Sequence, residues 1–224
     1  MESIDLLKIL AAVFALAIAI IGHEIMHGWV AYVYGDTTAK NAGRLSINPL
    51  VHIDLVGTIL VPFLMYFLPI LLGGDAGFLF GWAKPVPINT ATVIRNAGYN
   101  GAMQVDLAGI VYNFTLAAIA SIVIVVMDQP TTADSLVYVF TYILVLKLLV
   151  INVLLGVFNI LPIPQFDGAH FLMHLALKYR VTSVAEFFYK NERYGMIIVI
   201  IILITPLKDY LLLIPVRTIL QLLL

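Results

Sequence analysis

LLKILAAVFALAIAIIGHEIMHGWVAYVY, residues 6–34, decides how the rest of the chain is read. The run is apolar and long enough to cross a bilayer, whose hydrocarbon core takes roughly 20 helical residues. Inside it sit three ionisable side chains, His23, Glu24 and His27. Such groups are expensive within a bilayer and usually functional. Histidines four residues apart share one helix face, about 6 Å from each other. That spacing lets both imidazoles reach a single tetrahedral Zn2+. Glu24 lies on the same turn, placed to take a proton from a water that the metal activates. The plainer reading is a buried His–Glu–His cluster that only bridges helices. It fits a soluble helix better than one surrounded by lipid.

Hydrophobic residues make up 62% of the 224 and charged residues 11%, with a mean hydropathy of +1.04. These values exclude a soluble globular domain and imply an all-α polytopic membrane protein. The chain reads as a single domain over 1–224, with a catalytic core over about 6–180 and C-terminal spans over about 194–224. A net charge of −1 gives no sign of nucleic-acid binding. Cysteine is absent, so any zinc must be held by histidine and carboxylate. The first apolar run is not expected to be a cleaved signal: its flank carries Glu2 and Asp5, with only Lys8 basic.

After Gly35-Asp36 stops the first helix, residues 43–49 (GRLSINP) alternate and then end at proline, which predicts a short strand. Non-helical backbone at membrane depth is tolerated only where protein or a water-filled cavity covers it. This strand, with Arg44, Leu45, Ser46 and Asn48, is the candidate substrate-pairing edge, the alternative being a plain connecting hairpin. Residues 56–80 are apolar but broken by Pro62, Pro69 and Gly73-Gly74. They are either one kinked span or a re-entrant pair of half-helices. Residues 81–87 (GWAKPVP) are expected to be extended, and 95–101 to be a polar loop. Segment 81–101 is a candidate lining for a water path. Further spans are expected over 102–127 and 136–160, and a final one from 194.

At NILPIPQFDG, 159–168, two prolines break a helix inside apolar sequence, and Asp167 opens a new short helix. A carboxylate at such a break is well placed to point at a metal, and it is also an ordinary helix cap. His170 and His174 on that helix read as packing or supporting residues, as does His52. Basic residues mark the cytoplasmic side. Lys40, Arg44, Lys84, Arg95, Lys178, Arg180, Lys190 and Arg193 all point inside, whereas the link 128–134 carries none. If His23 and Asp167 share a metal, the C-terminal ends of spans 6–34 and 136–160 meet at one depth. Those two helices then run parallel, with the metal in the cytoplasmic half of the inner membrane.

HEIMH at 23–27, GRLSINPLVHID with FGWAKPVPIN, and NILPIPQFDG at 159–168 together resemble the site-2 proteases. These are intramembrane zinc metalloproteases of peptidase family M50, and the chain is most similar to the compact bacterial branch without PDZ or CBS domains. The resemblance implies one catalytic Zn2+ on His23, His27 and Asp167, with Glu24 as base. It implies that Asn159 helps hold the substrate carbonyl or its oxyanion, and that the substrate is the transmembrane segment of another protein. The family's A-G-P-x-x-N motif stands here as Ala108-Gly109-Ile110-Val111-Tyr112-Asn113, without its proline. Asn113 is carried as a candidate substrate contact. The family's D-G-G is Asp167-Gly168-Ala169. The competing classes are a prenyl-protein endopeptidase and a metal transporter or sensor. The former needs a distant glutamate ligand, and Glu2, Glu186 and Glu192 lie in polar flanks. The latter needs a polar relay across the bilayer. Substrate identity and oligomeric state stay open, a homo-oligomer being compatible with the sequence.

Overall fold

The computed structural model describes residues 2–61, 63–64, 81–131 and 133–224. Helix α1 spans Glu2–Val33, and a short α2 (Thr38–Asn41) follows. A 3-10 turn (Pro49–His52) and a π-helical turn (Leu55–Leu60) lead to the segment read as kinked or re-entrant, of which 65–80 lie outside the described residues. Then come α3 (Thr90–Val126), α4 (Leu136–Ile160), α5 (Asp167–Lys178), α6 (Thr182–Asn191), α7 (Gly195–Ile204) and α8 (Ile214–Leu223). Among the described residues, α1, α3 and α4 are long and apolar enough to cross a membrane. Thr182–Ile204 and Asp209–Leu223 meet at 91° and make a fourth crossing if they form one bent span. The protein is therefore a helical multi-pass membrane protein.

Lipid tails are as apolar as leucine, so these helices associate through close packing and interhelical hydrogen bonds rather than through the hydrophobic effect. The packing face of α1 is one stripe of every fourth residue: Ala11, Ala15, Ala19, His23, His27 and Ala31, all buried. The alanines let α3 and α4 approach, and the histidines continue the same stripe. Phe14 of α1 meets Phe140 of α4 edge-to-face, and further along both helices Asn113 bonds Ala19 and Asn152, so α1 and α4 run parallel. α3 runs antiparallel to them: the Tyr112 hydroxyl donates to the Ile18 carbonyl, while Val105 lies against His27. A second cluster, Leu149, Val153 and Val157 of α4 with Val199, Ile202, Leu212 and Val216, seats the C-terminal helices on α4.

Two local expectations differ from the structure. Residues 95–101 are helical, not a loop. Asn89 caps α3 by accepting from the Thr92 N–H, and the break falls only at Gly98, where φ is +64°. No strand forms among the described residues. Residues 43–48 make no ladder; Gly43 turns at φ +66°, and the Arg44 side chain folds inward to the Lys84 carbonyl, 2.5 Å away. Residues 81–89 form no helix, in keeping with the extended stretch expected over 81–87. The Trp82 and Lys84 N–H groups donate to the Gly57 and His52 carbonyls at 3.1 and 2.9 Å.

Candidate metal centre

His23 and His27 stand on α1 about 15 and 9 Å before its C-terminal end, at 1.5 Å per residue. α3 fixes both rings. The His27 Nδ1 lies 2.7 Å from the Val105 carbonyl, which can only accept, so Nδ1 carries the proton. For His23 the assignment runs through three side chains. Asn152 donates Nδ2 to the Leu148 carbonyl at 2.8 Å, which turns its Oδ1 toward Asn113. Asn113 donates Nδ2 to that oxygen at 2.8 Å and to the Ala19 carbonyl at 3.4 Å. Its own Oδ1 is thereby left to accept from His23 Nδ1 at 2.7 Å. Asn113 and Asn152 are fully buried, so no water competes. Both imidazoles are held in the tautomer whose Nε2 is a bare lone pair.

Those two Nε2 atoms lie 3.1 Å apart, and Asp167 Oδ2 lies 3.2 and 3.3 Å from them. Three acceptors thus converge with no proton between them, and Asp167 Oδ2 is buried without a hydrogen-bond partner. A cation resolves that conflict. Ligand atoms about 2.0–2.1 Å from a tetrahedral zinc lie about 3.3 Å from one another, which is the spacing found. The donor set, two imidazoles and one carboxylate, leaves a fourth position free. Gly109 makes room for the two rings, because a Cβ there would strike both His23 and His27.

Asp167 arrives through the proline-broken turn after α4. Gln165 adopts φ +86°, a left-handed conformation that costs a side-chain-bearing residue roughly 1–2 kcal/mol. Gly168 abuts the backbone of Ile160, where a Cβ would collide. Beside the three ligand atoms opens a cavity of about 830 Å³, lined by Glu24, Asn159, His170, His174, Asp106 and segment 81–88 among others. Glu24 accepts the Val86 N–H on Oε2 at 2.8 Å. Gly28 lets Val86 close onto α1, since a Cβ there would lie 2.9 Å from the Val86 side chain.

The sequence profile of peptidase family M50 matches residues 11–204. The chain belongs to this family. It is 32% identical over 209 residues to the "Putative zinc metalloprotease YwhC" of Bacillus subtilis, covering 89% of this chain and 83% of that one. No solved structure matches significantly. As an M50 member the protein is a membrane zinc metalloprotease.

For this M50 chain the structure brings together His23, Glu24, His27, Asn159 and Asp167 around one cavity. It does not bring Arg44, Leu45, Ser46 and Asn48 there. Arg44 and His52 grip Lys84, Leu45 packs beside Gly28 of α1, the Ser46 carbonyl accepts from His52, and Asn48 caps the 3-10 turn. Asn113 faces His23 rather than the cavity. The residues that sequence reading missed are Gly109, Asn152 and Val105, together with the Val86 N–H on Glu24. An asparagine or glycine inside an apolar span was the available signal for the first two.

Proposed function

We propose that this M50 protease cleaves peptide bonds within or beside transmembrane segments of other membrane proteins. His23, His27 and Asp167 hold its zinc, and Glu24 is the general base. One observation carries this reading: three convergent acceptors spaced 3.1–3.3 Å apart, on helices long enough to cross a bilayer. The basic residues flanking the site support its place in the cytoplasmic half of an inner membrane. We read residues 1–224 as one protease domain.

When bound, zinc supplies a Lewis acid that polarises the scissile carbonyl and favours ionisation of a water. The protein does the rest. Glu24 takes one proton from the water as its oxygen bonds to the carbonyl carbon. It then delivers that proton to the leaving amine as the C–N bond breaks. Water is consumed, and one carboxyl and one amine result. Asn159, whose Nδ2 donates to Leu155 in its own helix, has a second N–H for the developing oxyanion. A helical substrate must unwind before its carbonyl is accessible. Segment 81–88 supports that step better than 43–48, because it forms the cavity wall beside Glu24.

The test is Glu24→Gln in the full chain, purified in detergent and reconstituted with a single-span model substrate. It should keep one zinc per chain and lose about 10²–10⁴-fold in rate, the usual worth of a general base. Wild-type rates in that variant would remove Glu24 from the mechanism. Equal cleavage of an unstructured soluble peptide and of the membrane substrate would remove the intramembrane assignment.

A further inference from the structure

α3 touches every element that supplies a proposed ligand. Two of these ties are described above, Val105 to His27 and Asn113 to His23. The third reaches α5: Asp106 Oδ2 lies 2.6 Å from His174 Nδ1, with His174 5% exposed and Asp106 9%. A carboxylate–imidazole bond this short, shielded from bulk water, is of the stronger, charge-assisted kind. Glu24 chemistry has no use for it, and neither side chain belongs to the convergent ligand group.

Its place in the register gives it meaning. His174 follows Asp167 by seven residues, two turns and about 10.5 Å along α5, on nearly the same face. Asp106 precedes Asn113 by the same seven residues on α3. Two ties therefore connect α5 to α3, one direct and one passing through α1. Asp106–His174 forms one, and Asn113–His23–Asp167 the other. A one-turn slip of α5 would carry Asp167 about 5.4 Å, far beyond a metal–oxygen bond. Local anchoring of Asp167 comes from packing, Phe158 on Phe166 and Gly168 on the Ile160 backbone. Its Oδ2 receives no hydrogen bond, and Phe166, at the N-cap of α5, contributes no side-chain cap.

We propose that Asp106 and His174 form a positioning pair that locks α5 on α3 and so presents Asp167 to the metal. This rests on the reading of Asp167 as a ligand. The experiment measures zinc dissociation constants by chelator competition on the full chain in detergent. His174→Leu and Asp106→Leu, which break the pair, should each bind zinc about 10–100-fold more weakly, as loss of a supporting partner does. The double variant should be no worse than either single, because the two act as one unit. His174→Asn and Asp106→Asn, which keep a donor and an acceptor respectively, should stay within about threefold of wild type. If a leucine variant does not fold, the serine variant at that position replaces it with the same expectation.

Unchanged zinc affinity in folded His174→Leu overturns the proposal, including when its melting temperature falls or the pH profile of its rate moves. Asp167→Ala separates the two levels. If Asp167→Ala keeps wild-type affinity, the ligand assignment itself fails. If it loses zinc while His174→Leu does not, only the register proposal fails.

Discussion

Replacing Asn113 with leucine keeps most of the side-chain volume and removes the acceptor that His23 Nδ1 has among the described residues. In the metal-bound protein His23 must aim Nε2 at the ion, so its Nδ1–H then faces apolar surroundings with no partner. A buried donor left unmade costs about 1–3 kcal/mol. Without metal the variant escapes this penalty, because His23 is free to shift its proton to Nε2 or to turn its ring. The penalty therefore appears in zinc affinity rather than in folding. At 1.4 kcal/mol per decade it corresponds to roughly 5–150-fold weaker binding. That range brackets the 10–100-fold usual for loss of a partner to a metal-ligating histidine. Asn152→Ala removes only the group that orients Asn113, which retains the long bond to Ala19, so its effect should stay below about tenfold. Chelator competition in detergent, with circular dichroism as a control for folding, reads both. A folded Asn113→Leu protein that binds zinc within twofold of wild type would refute the tautomer relay.

Two further outcomes are expected. Gly109→Ala gains about 1 kcal/mol of intrinsic helix propensity but drives a methyl group into both ligand rings. It should fold normally and purify with well under one zinc per chain, and a full complement of metal in that variant would contradict the packing described. Asp36 joins the end of α1 to the entry of α3: Oδ1 accepts from the Thr38 N–H and hydroxyl, and Oδ2 from the Asn89 N–H. Burial pushes its pKa up, but these hydrogen bonds outweigh burial and hold it below the ordinary 3.8. A depressed carboxylate adds stability above the unfolded value that is lost as pH falls through the folded one. The melting-temperature advantage of wild type over Asp36→Asn, worth about 2 kcal/mol at neutral pH, should therefore begin to shrink near about pH 4 and vanish only below the depressed folded value. A difference that stays constant from pH 7 down to about pH 2 would contradict this.

Much of the bundle is legible because apolar runs and breakers agree. The span expected at 136–160 matches α4, bounded by Ser135 as cap and by Pro162 beyond it. Residues 95–101 misled because polar composition was read as loop. Helix resumes on both sides of a kink at Gly98, with Asn89 capping its start, so only that one residue leaves the helical conformation. Alternation at 43–48 misled for a different reason. A strand exists only with a partner, and the carbonyls of His52 and Gly57 are taken by Lys84 and Trp82 instead.

The ligands divide along the same line. His23 and His27 are legible because their spacing is a property of one helix. Asp167 needed both a helix break and the family resemblance, since nothing local separates a ligand from a cap. The supporting shell was not legible, because it depends on how two helices run past each other. Val105, Gly109 and Asn113 sit four apart on α3, as His23 and His27 do on α1, and the helices are antiparallel. Matching four-residue steps place a carbonyl opposite one ring, an empty space between the rings and an amide opposite the other. Read singly, a valine, a glycine and an asparagine in an apolar span have bland explanations. Set against the histidine spacing, they describe a single mould, in which the position of each proton is dictated by carbonyls that can only accept. The lone pairs that face the metal are thus fixed from the far side of the imidazoles, by groups that never touch it.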